Sequence, residues 1–285
     1  MDDEVYRMHS RKQLLLIGIL TVASCQCSPV LAQAPGPSLY EVVLFQPTRF
    51  PNGNWQPDGL NYLDVQFTSQ DGTQLHGWYC PAEAPLAVVL YLHGSGQNLS
   101  HRWQLLKLLQ TDQHLSVFIF DYRGYGKSAG QATVQGAIED AQAARAQLAQ
   151  LAAVPEEKIV LMGRSIGGAI AIQLAAEMTP RALVVESSFA SLKGVAKMHF
   201  PNLAWLVPDD KLESADTLAK CQAPTLISHG DRDTLIPFEA GEKLFAAAPE
   251  PKKFVRIPNA NHNHAQSRFY YKTLMDFLRE LPDSE

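Results

Sequence analysis

Residues 158–177 read KIVLMGRSIGGAIAIQLAAE, with an apolar run on each side of the motif Gly-Arg-Ser-Ile-Gly. The short run before the motif is typical of a buried strand, and the longer run after it is typical of a buried helix. Gly163 and Gly167 allow the close backbone approach that a sharp strand-to-helix turn requires. The motif therefore predicts an elbow with Ser165 as a nucleophile at its tip, the alternative being a serine that only caps the helix.

Strand-like runs alternate with helical stretches along most of the chain. The predicted strands lie at 62–68, 74–79, 86–92, 116–120, 158–162, 182–185, 225–228 and 253–257. The predicted helices lie at 101–110, 134–153, 166–177, 238–248 and 266–281. A turn signal at Asp71-Gly72 joins the first two strands as a hairpin, and the later repeats favour parallel pairing. The predicted fold class is α/β, with a mostly parallel eight-stranded sheet flanked by helices.

Composition divides the chain into three parts. Residues 1–32 are interpreted as a signal peptide or an N-terminal membrane anchor, 33–59 as a linker rich in Pro, Gly and Asn, and 60–285 as one catalytic domain. Within the domain, 189–216 interrupts the strand–helix rhythm and carries apolar residues among prolines. We expect it to form a short lid after the sixth strand, the alternative being a connector packed on the core.

The N-terminus has the order of an export signal. Basic residues within the first twelve positions precede an apolar run at 14–23, which is short for a membrane span. Two cleavage sites compete, a lipoprotein-like box that would leave Cys25 lipidated and a small-residue site ending at Ala32. An uncleaved anchor is the third interpretation. We expect an exported protein of the periplasm or cell envelope, attached to the membrane where the anchor or the lipid is retained.

The overall composition disfavours several classes of protein. A net charge of −5 leaves no basic excess to neutralise phosphates, so nucleic acid is not an expected partner. The four cysteines are too few and too unevenly spaced for a disulfide framework, and no Cys or His pairs have the spacing of a zinc site. We therefore expect neither a metal nor an organic cofactor.

An oxyanion hole is expected after an earlier strand. The sequence LAVVLYLHGSGQN at 86–98 ends an apolar strand in a glycine-rich turn. Its Ser95 is placed so that its backbone N–H can pair with that of Ile166, the residue after the nucleophile. Gly94 and Gly96 would let this loop approach a substrate carbonyl without a side-chain clash. The alternative is an ordinary glycine-rich turn.

The catalytic acid is expected after the nucleophile in the sequence. The stretch PTLISHGDRDTLIP at 224–237 ends a late strand with two aspartates. Asp233 is preferred because it lies between the turn and the start of a helix, and Asp231 would then stabilise the turn. Glu186, at the end of the sixth strand, is the other candidate.

The base is expected in the last loop. The sequence PNANHNHAQ at 258–266 offers His262 and His264, and a histidine just before a C-terminal helix can reach over the elbow. We prefer His262. His264 is interpreted as a surface residue, and His93 and His229 as residues that hold their loops.

Six motifs together resemble one known family. They are YLHGSGQN (91–98), FDYRGYGKSAG (120–130), GRSIGGAIAIQLAA (163–176), ESSFASL (186–192), PTLISHGDRDTLIP (224–237) and NANHNH (259–264). Through them the chain from Tyr62 onward resembles the serine-aminopeptidase-like branch of the α/β hydrolases, which includes membrane-linked depalmitoylating enzymes. The resemblance implies that Ser165, Asp233 and His262 are nucleophile, acid and base. It also implies that the second motif is a structural loop.

Two departures from the family pattern leave its chemistry in place. Ile166 stands where Leu or Met is usual, and Ser95 stands where Asn is common, but both would contribute backbone donors. The resemblance implies a serine hydrolase that cleaves ester or thioester bonds of a small-molecule or lipid-like acyl substrate through an acyl-enzyme. Two alternatives stay open. One is a serine aminopeptidase, although no acidic pair is evident in 189–216 to bind an α-amino group, and the other is a non-catalytic binding protein of the cell envelope.

Overall fold

A computed structural model describes residues 36–281 of the chain. The predicted signal peptide, membrane anchor and lipidation site at Cys25 lie outside the described residues. No helix within 36–281 is long and apolar enough to cross a membrane.

An eight-stranded sheet forms the centre of the described chain. Its strands are β1 (Leu63–Thr68), β2 (Gln74–Cys80), β3 (Ala87–Leu92), β4 (Leu115–Asp121), β5 (Val160–Arg164), β6 (Ala182–Glu186), β7 (Thr225–Gly230) and β8 (Lys252–Ile257). They lie in the order β8-β7-β6-β5-β3-β4-β2-β1, and every neighbouring pair is parallel except β1 with β2 and β2 with β4. The predicted mostly parallel sheet with an antiparallel start is confirmed.

Helices cover both faces of the sheet. Those that the structure describes are α1 (Leu39–Leu44), α2 (Trp103–Lys107), α3 (Val134–Ala152), α4 (Ile166–Glu177), α5 (Leu192–His199), α6 (Ser214–Leu218), α7 (Phe238–Ala247) and α8 (Arg268–Glu280). One apolar core lies beneath α3 and α4, and a second lies beneath α2 and α8. The helical stretch predicted at 101–110 is present but irregular, because a 3-10 turn precedes α2 and a π-helical turn follows it.

The strand order reverses where β3 and β5 lie side by side. Leu92, the last residue of β3, pairs with Gly163 in β5. In open α/β sheets, ligands bind in the crevice outside the carboxyl ends of the strands at such a reversal. The loop after β3 and the elbow after β5 both begin at this crevice.

The segment 33–59, predicted as a linker, is ordered structure from residue 36 onward. Helix α1 is attached to the domain through Glu41, which accepts a hydrogen bond from the N–H of Val134 at 2.8 Å. Farther on, Gln46–Pro47 pairs in parallel with Gly96–Gln97. A composition rich in Pro, Gly and Asn indicates turns, but it does not show whether polar side chains fix those turns to a neighbouring surface.

The predicted lid segment, 189–216, contains α5 and the start of α6 and presents apolar side chains to solvent. Trp205 is 73% exposed, and Phe200 and Leu203 are each 51% exposed. His199 at the end of α5 contacts the carbonyl of Leu235 through Nε2 at 2.7 Å. This contact joins the segment to the loop that follows β7, and the role of the segment as a lid stays a prediction.

Candidate active site

Ser165 occupies a strained position between β5 and α4. Its φ of 56° and ψ of −124° lie outside the regions that residues with a side chain normally adopt. Two hydrogen bonds hold this backbone: the Ser165 N–H donates to the carbonyl of Glu186 at 2.9 Å, and the Ser188 hydroxyl donates to the carbonyl of Ser165 at 2.8 Å. Strain that the surrounding structure maintains in this way is typical of a functional site.

Two glycines of the motif are required by close backbone contacts. A Cβ atom on Gly163 would lie 2.2 Å from the carbonyl oxygen of Gly167. A Cβ atom on Gly167 would lie 2.1 Å from the carbonyl oxygen of Leu92. Helix α4 therefore begins in direct contact with the end of β3, as the motif predicted.

Asp233 and His262 form a hydrogen-bonded pair. Oδ2 of Asp233 lies 2.7 Å from Nδ1 of His262, and Oδ1 accepts the N–H groups of Leu235 and Ile236 at 2.9 and 2.8 Å. Burial alone would raise the pKa of Asp233. The hydrogen bonds from His229, His262 and Ile236 outweigh burial and hold the pKa of this carboxyl well below its ordinary value. Asp233 is therefore a carboxylate in position to orient the imidazole.

His229 supports the Asp233 loop from within the core. It is fully buried, and its Nε2 lies 2.8 Å from the carbonyl of Ile236 and 3.5 Å from Oδ2 of Asp233. The predicted loop-holding role of His229 agrees with these contacts. A carbonyl acceptor requires the proton on Nε2, so this histidine donates toward the acid loop.

The loop that carries His262 is held by charged neighbours. Nη2 of Arg164 donates to the carbonyls of His262 and His264 at 2.6 and 3.0 Å. Asp231 accepts the N–H of Asn259 at 2.6 Å at the start of the same loop. Asp231 therefore has the turn-stabilising contacts that the sequence suggested.

Ser165 and His262 open into one cavity of about 840 Å³. Within the described residues no hydrogen bond joins the Ser165 hydroxyl to the imidazole, although both side chains line the cavity wall. Nucleophile and base are often loosely aligned in a ligand-free site and tighten when substrate binds. The structure thus brings all three predicted catalytic residues to one site, with the acid–base pair already formed.

The loop after β3 borders the same cavity. The carbonyl of Ser95 accepts the Tyr125 hydroxyl at 2.6 Å and the N–H of Gln46 at 3.1 Å, so the loop is fixed from behind. The N–H of Ile166 begins α4 and has no acceptor inside the helix. Gly94 lies against Ser165, its Cβ position 3.5 Å from that of the serine. Ser95 and Ile166 remain the predicted oxyanion donors.

The rejected candidates lie elsewhere around the cavity. Glu186 lines the cavity but makes no contact with His262 among the described hydrogen bonds, and burial raises the pKa of its carboxyl. His264 is exposed and contacts Asn261. His93 is fully buried, with Nδ1 2.7 Å from the carbonyl of Gly94, which agrees with a loop-holding role.

Several residues around the site could not be identified from the sequence. Arg102 donates to the carbonyl of Gly96 at 3.0 Å and lines the cavity, yet it lies in no motif. Arg164 lies within the elbow motif, but nothing in the sequence indicates that it holds the His262 loop. Ser188 lies in the fourth motif, and its bond to the elbow becomes visible only in the structure. No group of three or more metal-ligating side chains is assembled within residues 36–281.

Comparisons with known proteins agree with this fold. A family model described as "Alpha/beta hydrolase domain" matches residues 85–283. The chain is similar to YfhR of Escherichia coli K12, with 33% identity over 235 residues that cover 78% of this chain and 82% of YfhR. It is also similar to bem46 of Schizosaccharomyces pombe, with 31% identity over 258 residues that cover 85% and 86% of the two chains.

Solved structures show the same architecture. An esterase of Pyrococcus furiosus matches with a TM-score of 0.68 and 21% identity, covering 84% of this chain and 97% of the esterase. At this level of identity the similarity concerns the fold.

Proposed function

Because this chain belongs to the alpha/beta hydrolase domain family, we propose that it is a serine hydrolase that cleaves ester or thioester bonds through an acyl-enzyme. The observation that carries the proposal is the 2.7 Å contact of Asp233 with His262 beside the strained Ser165 elbow. Membership of this family supports the assignment of the protein as a hydrolase. The assignment of nucleophile, base and acid is our inference from the arrangement of these side chains.

The proposed reaction follows from the position of each group. Nε2 of His262 takes the proton of Ser165 as the serine oxygen attacks the acyl carbonyl. Asp233 keeps the proton of the neutral imidazole on Nδ1, which leaves Nε2 free to accept. The Ser95 and Ile166 N–H groups stabilise the oxyanion, and His262 returns the proton to the leaving alcohol or thiol. Water activated by the same imidazole then releases the acid.

Neutral p-nitrophenyl esters of increasing chain length provide the first test, alongside acyl thioesters and aminoacyl anilides. We expect the full-length protein to hydrolyse esters or thioesters faster than anilides. The folded Ser165→Ala protein should show no activity above background on any of them. Turnover of anilides alone would favour the aminopeptidase instead.

A second readout distinguishes the proposed serine hydrolase from a binding protein that has no catalytic activity. A fluorophosphonate should label the wild type and should not label Ser165→Ala, with circular dichroism confirming that both are folded. Neither labelling nor hydrolysis by the folded wild type would contradict the proposed function.

We also propose that the protein is exported to the cell envelope. The support is the basic, apolar and small-residue order of the first 32 positions. Radiolabelled palmitate should enter the wild type but not Cys25→Ala if the lipoprotein route is used, whereas an N-terminus beginning at Gln33 would indicate ordinary cleavage. An intact N-terminus on protein found in the cytosol would contradict export.

A further inference from the structure

The wall of the cavity beside Ser165 combines polar side chains with the apolar Leu105, Leu108 and Leu235. Two arginines, Arg102 and Arg164, lie in its wall, and Glu186 is the one acidic residue that lines it within the described chain. Its other polar side chains include Gln46, Gln97, Gln104, Asn263, Gln266 and Tyr271. The feature that sets this wall apart is its two guanidinium groups, which suit an anionic group on the substrate.

Each guanidinium is fixed on one side and retains further donors. Arg102 uses Nη2 to hold the carbonyl of Gly96, and Arg164 uses Nη2 to hold the His262 loop. A guanidinium carries five N–H donors, and within the described residues no further acceptor engages either side chain. Both groups are therefore oriented by the protein and still able to bind a ligand.

The two positive charges are close enough to affect each other. Burial lowers the pKa of Arg102, and the charge of Arg164 acts in the same direction. Like charges that share a partly buried site repel each other, and an anionic group bound between them would relieve that repulsion. Glu186 contributes one carboxyl against the two guanidinium groups; burial raises the pKa of this carboxyl, and the charge of Arg164 opposes that effect.

A buried hydroxyl completes the group. Tyr91 is 1% exposed and lines the cavity, and its hydroxyl has no hydrogen-bond partner in the part of the chain that the structure describes. Burial and the charge of Glu186 raise the pKa of Tyr91, while the charges of Arg164 and Arg102 act in the opposite direction. Because Tyr91 lines the same cavity as both arginines, its hydroxyl is available to donate to a ligand that they bind.

We propose that Arg102, Arg164 and Tyr91 bind an anionic oxygen group, a carboxylate or a phosphate, carried by the substrate whose acyl bond Ser165 cleaves. This inference rests on the proposed function and names its substrate class. Charge-assisted hydrogen bonds from arginine to such groups are among the strongest that proteins form. Glu186 is the acidic group that faces the same cavity, and the two arginines exceed it in charge. The substrate class is thus an acidic ester or thioester.

A pair of matched substrates measures the preference. Mono-p-nitrophenyl adipate carries a terminal carboxylate, and p-nitrophenyl hexanoate has the same leaving group and chain length without it. We expect kcat/KM of the full-length wild type to be at least about tenfold higher for the adipate ester, the contribution of one charge-assisted contact. Acetoxybenzoate against phenyl acetate tests the same charge on the leaving group. If the anionic substrate is preferred in only one of the two pairs, that pair shows on which side of the scissile bond the anion binds.

Variants separate binding of the anion from support of the loop. Arg102→Gln should lower the ratio of kcat/KM for the adipate ester to kcat/KM for the hexanoate ester about tenfold. Arg102→Lys should lower this ratio less, because the charge remains. Loss of loop support alone would slow both esters equally and leave the ratio unchanged. Arg279→Gln removes the same charge from exposed α8 and should leave the ratio at the wild-type value.

A measurement on the wild type alone covers the case in which these variants do not fold. Inorganic phosphate or adipate should slow fluorophosphonate labelling of Ser165, and the neutral hexanamide should not at equal concentration. Hydrolysis of hexanoate without an anionic preference and without this protection would overturn the inference and leave the proposed function standing. Absence of hydrolysis and labelling together would instead remove the proposed function.

Discussion

Two buried aspartates at the carboxyl edge of the sheet have opposite surroundings. Asp121 ends β4 and Asp233 follows β7, and both side chains are fully shielded from solvent. The Asp233 carboxylate accepts two backbone N–H groups of its own loop and contacts the imidazole of His262. The Asp121 carboxylate accepts one N–H, from Leu99 at 2.8 Å, and its second oxygen has no partner in the described chain.

This difference determines the charge of each group. Burial raises the pKa of Asp121 to about 8, and the donor from Leu99 together with Lys127 opposes burial only in part. Burial also acts on Asp233, but its donors are numerous enough to reverse the outcome. A buried aspartate is therefore suited to orient a catalytic imidazole only when the fold supplies donors for its charge. Asp121 instead serves the loop after β3, which agrees with the structural role that its motif implied.

The largest effect on activity is expected at Asp233. Asp233→Asn should lower kcat about ten-thousandfold while the fold survives, because an amide no longer holds the imidazole in the required tautomer. Steady-state hydrolysis of a p-nitrophenyl ester measures this. Asp231→Asn is the matched control and should change kcat little, since Asp231 contacts the turn and Arg256 instead of the base. A severe loss in the control with a mild loss in Asp233→Asn would reverse our assignment.

A smaller effect is expected when the support of Asp233 is removed. His229→Phe leaves the buried carbonyl of Ile236 without its donor, which should lower the free energy of unfolding by about 1–3 kcal/mol. Activity should fall roughly tenfold, less than in Asp233→Asn, because the backbone donors to the carboxylate remain and about 1.4 kcal/mol corresponds to a factor of ten. Urea unfolding and ester hydrolysis measure the two quantities. Activity equal to that of Asp233→Asn would show that His229 takes part in the chemistry directly.

The smallest effect on activity is expected at Asp121. Asp121→Asn should change kcat by no more than a few-fold, and its effect should appear in stability against pH. Since the pKa of Asp121 is about 8 in the folded protein and about 3.9 in an unfolded chain, the folded state binds the extra proton between these values. Stability from this group is present below pH 4 and is lost as the pH rises toward 8.

The asparagine variant removes that titration. The difference in Tm between pH 5 and pH 8 should therefore be smaller in Asp121→Asn than in the wild type. Asp233 acts with the opposite sign, because its lowered pKa contributes stability that is present above about pH 4 and is lost on acidification. An identical change in Tm from pH 5 to pH 8 in both proteins would show that Asp121 is ionised in the fold.

The fold could be predicted, and the candidate catalytic residues could be selected, because their signals are local. The elbow depends on glycines within a few positions of Ser165, and their close contacts lie between neighbouring backbone segments. Asp233 and His262 each follow a strand whose apolar pattern marks its end, and parallel strands bring such ends to one edge. Local pattern therefore placed the candidate acid and base in loops that the fold brings together.

The features that could not be predicted depend on contacts between segments that are distant in the sequence. Glu41 attaches α1 to Val134, which is 93 positions away, so composition alone indicated a linker. Arg164 reaches the carbonyl of His262, which is 98 positions away. Arg102 could not be singled out, because an arginine in a helical stretch usually faces solvent. Its position in the cavity follows from how the turn before α2 packs on the loop after β3.

The central claim is that Ser165 is the nucleophile served by the Asp233 and His262 pair. Its most direct test is peptide mapping of the fluorophosphonate adduct by mass spectrometry in wild type and His262→Ala. We predict a single adduct on Ser165 in the wild type and strongly reduced labelling of the same residue in His262→Ala, because the serine then lacks its base. An adduct on another residue, with Ser165 unmodified in a protein that hydrolyses esters, would contradict the account.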